Sequence, residues 1–137
     1  MKAKKEDKTY AKLYLAAKKA LERAYSPYSR VKVAAAVLTS QGKVYTGCNI
    51  ENASYGATLC AERVAIFKAV SEGHKKFKAL LVVTNKKDIW PPCGMCRQVM
   101  AEFVGPSTPI YTTNLDKEFE KTKFGDLLPK AFGPKYL

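Results

Sequence analysis

The 137-residue chain carries 24 lysines and arginines against 12 aspartates and glutamates, a formal charge of +12, with 47% hydrophobic and 11% aromatic residues. That length suits one domain, residues 1–137, and the apolar content suffices for a core, which sets intrinsic disorder aside. The longest apolar runs, Val33–Leu38 and Ala79–Val83, are too short to cross a bilayer, and no basic-then-apolar leader opens the sequence; a cytoplasmic protein with no membrane partner is expected.

In chain order, residues 1–8 read as a frayed polar end. Thr9 fits an N-cap for an amphipathic helix running to about Tyr25, with Leu13, Ala16, Ala17, Ala20, Leu21 and Ala24 on one face. Ser26-Pro27 stops it, because the residue before proline avoids the helical region. Val31–Thr39 has the continuous apolar character of a strand covered on both faces, and Val44–Asn49 returns as the second arm of a hairpin. Leu59–Ser71 has helical spacing, Phe77–Thr84 is another buried strand, and Cys93–Phe103 is a helix with Pro92 at its start. Thr108–Thr113 and Phe119–Lys123 read as strands, followed by a short helical turn ending at Leu127-Leu128-Pro129. This order predicts an α/β fold with a mixed sheet of about five strands between helices. The last two strands should be antiparallel, since the short turn Asn114–Lys117 cannot carry a parallel crossover.

The lysines are scattered and interleaved with acids, as in Lys2–Lys8, Lys75–Lys78 and Lys117–Lys123, which fits a solvated surface better than a nucleic-acid or lipid site. The cysteines are more informative. Cys60 opens one predicted helix, and Cys93 and Cys96 open the next as C-x-x-C. Helix N-termini favour thiolate over thiol, and thiolates are zinc ligands. Three protein ligands leave a position for water, whereas a fourth, for which Cys48 is the candidate, would make a closed structural site. The lone histidine, His74, falls in a polar loop and is expected to be exposed. Glu62 stands two residues after Cys60, where a carboxylate either complements the helix dipole or carries protons for a metal-bound water.

C-x-E followed about 30 residues later by P-C-x-x-C is the signature of zinc deaminases in its three-cysteine form. The segments Cys48–Tyr55, Cys60–Arg63 and Pro92–Val99 resemble the homotetrameric, three-cysteine class of cytidine deaminases, and the likeness extends from Ala24 to Phe132. The resemblance implies a three-layer α/β/α sandwich and zinc-dependent hydrolysis of cytidine and deoxycytidine to uridine and deoxyuridine, a pyrimidine-salvage step. In that chemistry a zinc-activated water attacks the amino-bearing ring carbon while Glu62 shuttles protons. Cys60, Cys93 and Cys96 would be the zinc ligands. Asn49 and Glu51 would hold the ribose hydroxyls, the Ala61 N–H the base carbonyl, and the Pro91 carbonyl the amino group. Arg63 would draw charge off the ligand sulfurs, with Arg97 a second arginine near the metal or a structural pairing residue. Phe132 would reach a neighbouring subunit's pocket in a homotetramer.

Two positions depart from the family pattern: Val31 stands where phenylalanine is common beside the base, and Ala34 where glycine is common. Valine keeps an apolar wall but offers no aromatic face. The alternatives are a deaminase of a modified cytosine nucleoside, a nucleic-acid-editing deaminase and a non-catalytic zinc-binding module. Asn49 and Glu51 speak against the first, the hairpin turn between the last two strands against the second, and Glu62 beside the metal against the third.

Overall fold

A computed structural model describes residues 7–137. The elements are α1 (Lys8–Leu21), β1 (Val33–Thr39), β2 (Val44–Cys48), α2 (Ala61–Ser71), β3 (Phe77–Thr84), α3 (Gly94–Ala101), β4 (Pro109–Asn114), β5 (Phe119–Lys123) and α4 (Phe124–Leu127), with single 3-10 turns at Tyr55–Ala57 and Pro134–Tyr136. They form one mixed sheet in the order β2-β1-β3-β4-β5. β3 and β4 run parallel, joined through α3, and the other neighbours are antiparallel, including the expected β4–β5 hairpin.

Both faces of the sheet are covered, because the central strands alternate apolar residues in two directions. Leu13, Tyr14, Ala17 and Leu21 of α1 pack on Ala34, Ala36, Leu81 and Val83. On the opposite face Ala65, Ile66 and Ala69 of α2 and Met100 of α3 pack on Ala35, Val37, Leu80, Val82 and Ile110. The result is the three-layer α/β/α sandwich. No described helix is long and apolar enough to cross a membrane.

Several element ends differ from expectation, each for a tertiary reason. α1 starts at Lys8, capped by Asp7 and not by Thr9: the Asp7 carboxylate accepts from the Tyr10 N–H at 3.0 Å. It also accepts from the Tyr111 hydroxyl at 2.9 Å and pairs with Lys121 at 3.5 Å, so it anchors the helix to β4 and β5 as well. Asp7 and Lys8 therefore belong to the fold, which corrects that part of the frayed end; residues 1–6 lie outside the described residues. α1 ends at Leu21, short of Tyr25, whose N–H is taken by the Asn49 carbonyl at 2.9 Å. β1 begins at Val33, two residues after Val31, because the Asn49 side chain occupies the ladder there. Its Oδ1 accepts from Val33 N–H at 3.0 Å and its Nδ2 donates to the Val31 carbonyl at 2.8 Å. Leu59 bridges to Ile50, which delays α2 to Ala61. His74 is half-buried against Tyr45, with ring centroids 5.5 Å apart.

One contact fixes how α2 sits. A Cβ on Gly47 of β2 would lie 2.5 Å from the Ala65 nitrogen and 2.7 Å from the Ala61 oxygen. Only glycine lets the helix backbone rest directly on the strand at this point.

Candidate active site

The seating of α2 on β2 and the crossover from β3 into α3 bring two helix N-termini to the same end of the sheet. Cys60 and Cys93 are the N-cap residues of α2 and α3. Both have extended backbone, with ψ of 153° and 166°, and neither side chain makes a capping hydrogen bond. Their sulfurs are thus free to face each other and Cys96, one turn into α3. The three Sγ atoms lie within 4.8 Å of one another, with Cys60 and Cys93 at 3.8 Å. Sulfurs on a tetrahedral zinc with 2.3 Å bonds stand about 3.8 Å apart, so this set fits the ion. Among the described residues no fourth histidine, cysteine or acidic side chain joins the cluster. Cys48 does not close it: Tyr45 and Gly47 of β2 face α2, and strand alternation turns Cys48 to the α1 side.

The electrostatics favour a thiolate at Cys60. Hydrogen bonding from Cys96 outweighs burial and, with Arg63, brings the Cys60 thiol down to about 5. Cys96 is shifted upward by its bond to Cys60 and by its own burial. Arg63 Nη2 donates to Cys60 Sγ at 3.5 Å and to the Thr58 carbonyl at 3.4 Å. Its Nε is buried without a hydrogen-bond partner among the described residues. Three thiolates around Zn²⁺ leave one net negative charge, which the arginine offsets.

Glu62, in the first turn of α2, is 4% exposed. Burial pushes its carboxyl up to about 7, and the neighbouring Cys60 adds to the rise. It shares a cavity of about 290 Å³ with Cys60, Ala61 and Cys93, and with Asn49, Glu51, Val31 and Pro91. That size is near the lower end for small-molecule sites. Every expected ligand-contacting residue except Phe132 therefore lies together in one pocket.

The ribose candidates also have local duties. Glu51 accepts from the Tyr28 and Ser29 N–H groups at 2.9 and 3.1 Å and from the Ser29 hydroxyl, and the Ser29 hydroxyl leads the causes that hold its carboxyl below the usual range. Asn49 clamps the entry of β1, as described above. Ala61 is the first residue of α2, where N–H groups have no acceptor within the helix. Arg97 does not turn to the sulfurs. Its Nε donates to the Pro92 carbonyl at 2.7 Å and its Nη1 to the Leu127 carbonyl at 2.8 Å, tying the loop before Cys93 to α4. Phe132 is 58% exposed, stacks on Tyr136 at 5.5 Å, and has its carbonyl held by Gln98. Sequence reasoning missed Ser29, Thr58, Leu59, Val33, Val82 and Trp90 as pocket residues. Thr58, Leu59 and Trp90 stand within three residues of the cysteine motifs, but proximity in sequence does not say which way a side chain faces.

The family pattern described as cytidine and deoxycytidylate deaminase zinc-binding region matches residues 7–112. A cytidine deaminase of Sporosarcina psychrophila is 52% identical over 126 residues, covering 92% of this chain and 93% of that protein. The crystal structure of cytidine deaminase from Burkholderia pseudomallei superposes with a TM-score of 0.85 at 48% identity, covering 90% of this chain and 98% of that one. A blasticidin-S deaminase of Bacillus cereus is similar at 30% identity over 108 residues, covering 73% of this chain and 76% of that protein.

Proposed function

The chain belongs to the cytidine and deoxycytidylate deaminase family, and from that premise we propose that it hydrolyses cytidine and deoxycytidine to uridine and deoxyuridine with release of ammonia. The observation that carries the reading is the buried Glu62 carboxyl facing the same cavity as the three-sulfur cluster and the Asn49–Glu51 pair. Cys60, Cys93 and Cys96 hold the zinc. When bound, the ion supplies Lewis acidity that lowers the pKa of a coordinated water toward about 7.

Asn49 and Glu51 bind the ribose hydroxyls, one as donor and acceptor and the other as acceptor. The free Ala61 N–H receives the base carbonyl, and the Pro91 carbonyl accepts from the amino group, which turns the amino-bearing carbon toward the metal. Glu62 takes one proton from the water and gives it to the adjacent ring nitrogen, making that carbon electrophilic. Water oxygen forms the new bond to carbon. Glu62 then carries the second proton to the departing amine, so that water and cytidine become uridine and ammonia.

Assembly belongs to the same proposal: a homotetramer in which Phe132, exposed on its own chain, enters a neighbour's pocket. A cytoplasmic setting fits the need to keep the three thiols reduced. A bulkier modified cytosine nucleoside is the second reading, marked by the blasticidin-S deaminase relative; the modest cavity and the Asn49–Glu51 pair favour the plain nucleoside. Incubation of the zinc-loaded protein with cytidine or deoxycytidine should release ammonia and stop on chelation. A zinc-replete protein that yields none from either nucleoside overturns the reading.

A further inference from the structure

We propose that Trp90 is the aromatic wall against which the pyrimidine ring packs, and so a specificity-determining residue for the reaction; this rests on the function proposed above. Among the residues lining the cavity, Trp90 alone is aromatic, and the remaining apolar walls are aliphatic, chiefly Val31, Val33, Leu59 and Val82.

Its neighbours in the chain assign it to the base end: Trp90 lines the cavity together with Pro91, which follows it directly, and Cys93, three residues on. Glu51 and Ser29 line the other side, where they also border a second cleft between Tyr28 and Tyr55. A planar heterocycle with its amino group directed at the sulfurs therefore has Trp90 beside its ring, while the sugar extends toward Glu51.

The indole is also unpartnered. It is 40% exposed, and among the described residues no aromatic ring stacks on it. A large apolar surface left open inside a concave site is a surface for a ligand, and flat rings prefer offset or tilted contact with indole. Neither other candidate supplies this face from within the chain: Val31 has no ring, and Phe132 is stacked on Tyr136 outside the cavity. Trp90 thus takes the role that the Val31 position leaves open.

Trp90 is the single tryptophan of the chain, which makes it its own reporter. Cytidine titrated into the zinc-loaded Glu62→Gln protein, whose turnover is expected to be slow, should change the tryptophan emission saturably. Trp90→Ala should raise KM for cytidine roughly three- to tenfold with a smaller effect on kcat and unchanged zinc content, and Trp90→Phe should recover most of the loss. Emission unmoved up to millimolar cytidine, or a Trp90→Ala enzyme with the wild-type KM, overturns the inference. The two claims separate cleanly. If the wild-type protein binds cytidine with a change in emission yet releases no ammonia, the deaminase reading falls and the aromatic wall stands.

Discussion

Glu62 and Arg63 are consecutive, and the chain sets them opposite tasks. The carboxyl is sunk into the pocket wall, where burial lifts its proton affinity toward neutrality, and the guanidinium is held against the Cys60 sulfur. A carboxyl in that position can both take and give a proton, which is what hydrolysis of an amidine demands. Replacing Glu62 by Gln keeps the volume and removes that exchange. Ammonia release should fall by roughly 10²- to 10⁴-fold with zinc content and melting temperature unchanged, and a rate within tenfold of wild type would strip Glu62 of the role. For Arg63→Gln the thiolates keep more negative charge and the metal becomes a poorer acid, so kcat should drop by roughly 10- to 100-fold while KM for cytidine moves little. A matching loss in KM would instead mean that the arginine serves the pocket shape. The cysteine cluster and the carboxyl beside it were legible in the sequence because such a spacing is rare: a carboxyl two residues from a cysteine and a later C-x-x-C admit few explanations. Trp90 was not, since an aromatic residue in a loop carries no signature until the folded chain shows what it faces. The same applies to Arg97, whose pairing with the Pro92 and Leu127 carbonyls depends on where α4 comes to lie.

Among the elements, α2 depends on a strand residue with no side chain. Gly47→Ala would force a methyl into the backbone of Ala61 and Ala65, and the helix would have to lift. A cost of about 1–3 kcal/mol is expected from overpacking, and the first turn, with Cys60 and Glu62, moves with it. Thermal melting together with kcat checks this: a variant with native stability and rate would show that the sheet yields instead. α1 depends on Asp7. Burial alone would raise its pKa, but the Tyr10 N–H, the Tyr111 hydroxyl and Lys121 together carry it below the ordinary 3.8. A carboxylate with a lowered folded-state pKa adds stability above its unfolded pKa and loses it as pH falls through the folded value. The gap in melting temperature between wild type and Asp7→Asn should thus be full at neutral pH, begin to shrink near pH 4 and vanish only once the pH is below the lowered folded-state value; a gap that persists in stronger acid would show that charge is not its source. The interiors of the elements followed from periodicity, and β3 and β5 fall at their expected limits. Their ends did not, because the Asn49 amide, the Tyr25–Ile50 bridge and the Asp7 anchor join residues far apart in sequence, which local propensity does not register.

Over the whole molecule, two cores on opposite faces of one sheet leave the cysteine cluster at a rim between α2 and α3. Layer order and the closing antiparallel hairpin were readable from element order and turn length, and the two cysteine-bearing helix starts meet at one edge because β2 and β3, which they follow, both run antiparallel to β1. The proposed tetramer is testable at this scale: sedimentation should show four copies, and Phe132→Ala should lower activity without disturbing the cavity of its own chain. A fully active monomer would remove the tail from the site. Both helix starts are closed by cysteines whose side chains cap nothing in the polypeptide itself. Ala61 and Cys96 already sit in the core, so the ion adds a rivet between the two N-cap residues at its edge. Chelation should first open proteolytic cuts around residues 58–60 and 90–93 while α1 and the sheet stay protected, so zinc starvation would disable the protein by loosening one seam long before it melted the whole.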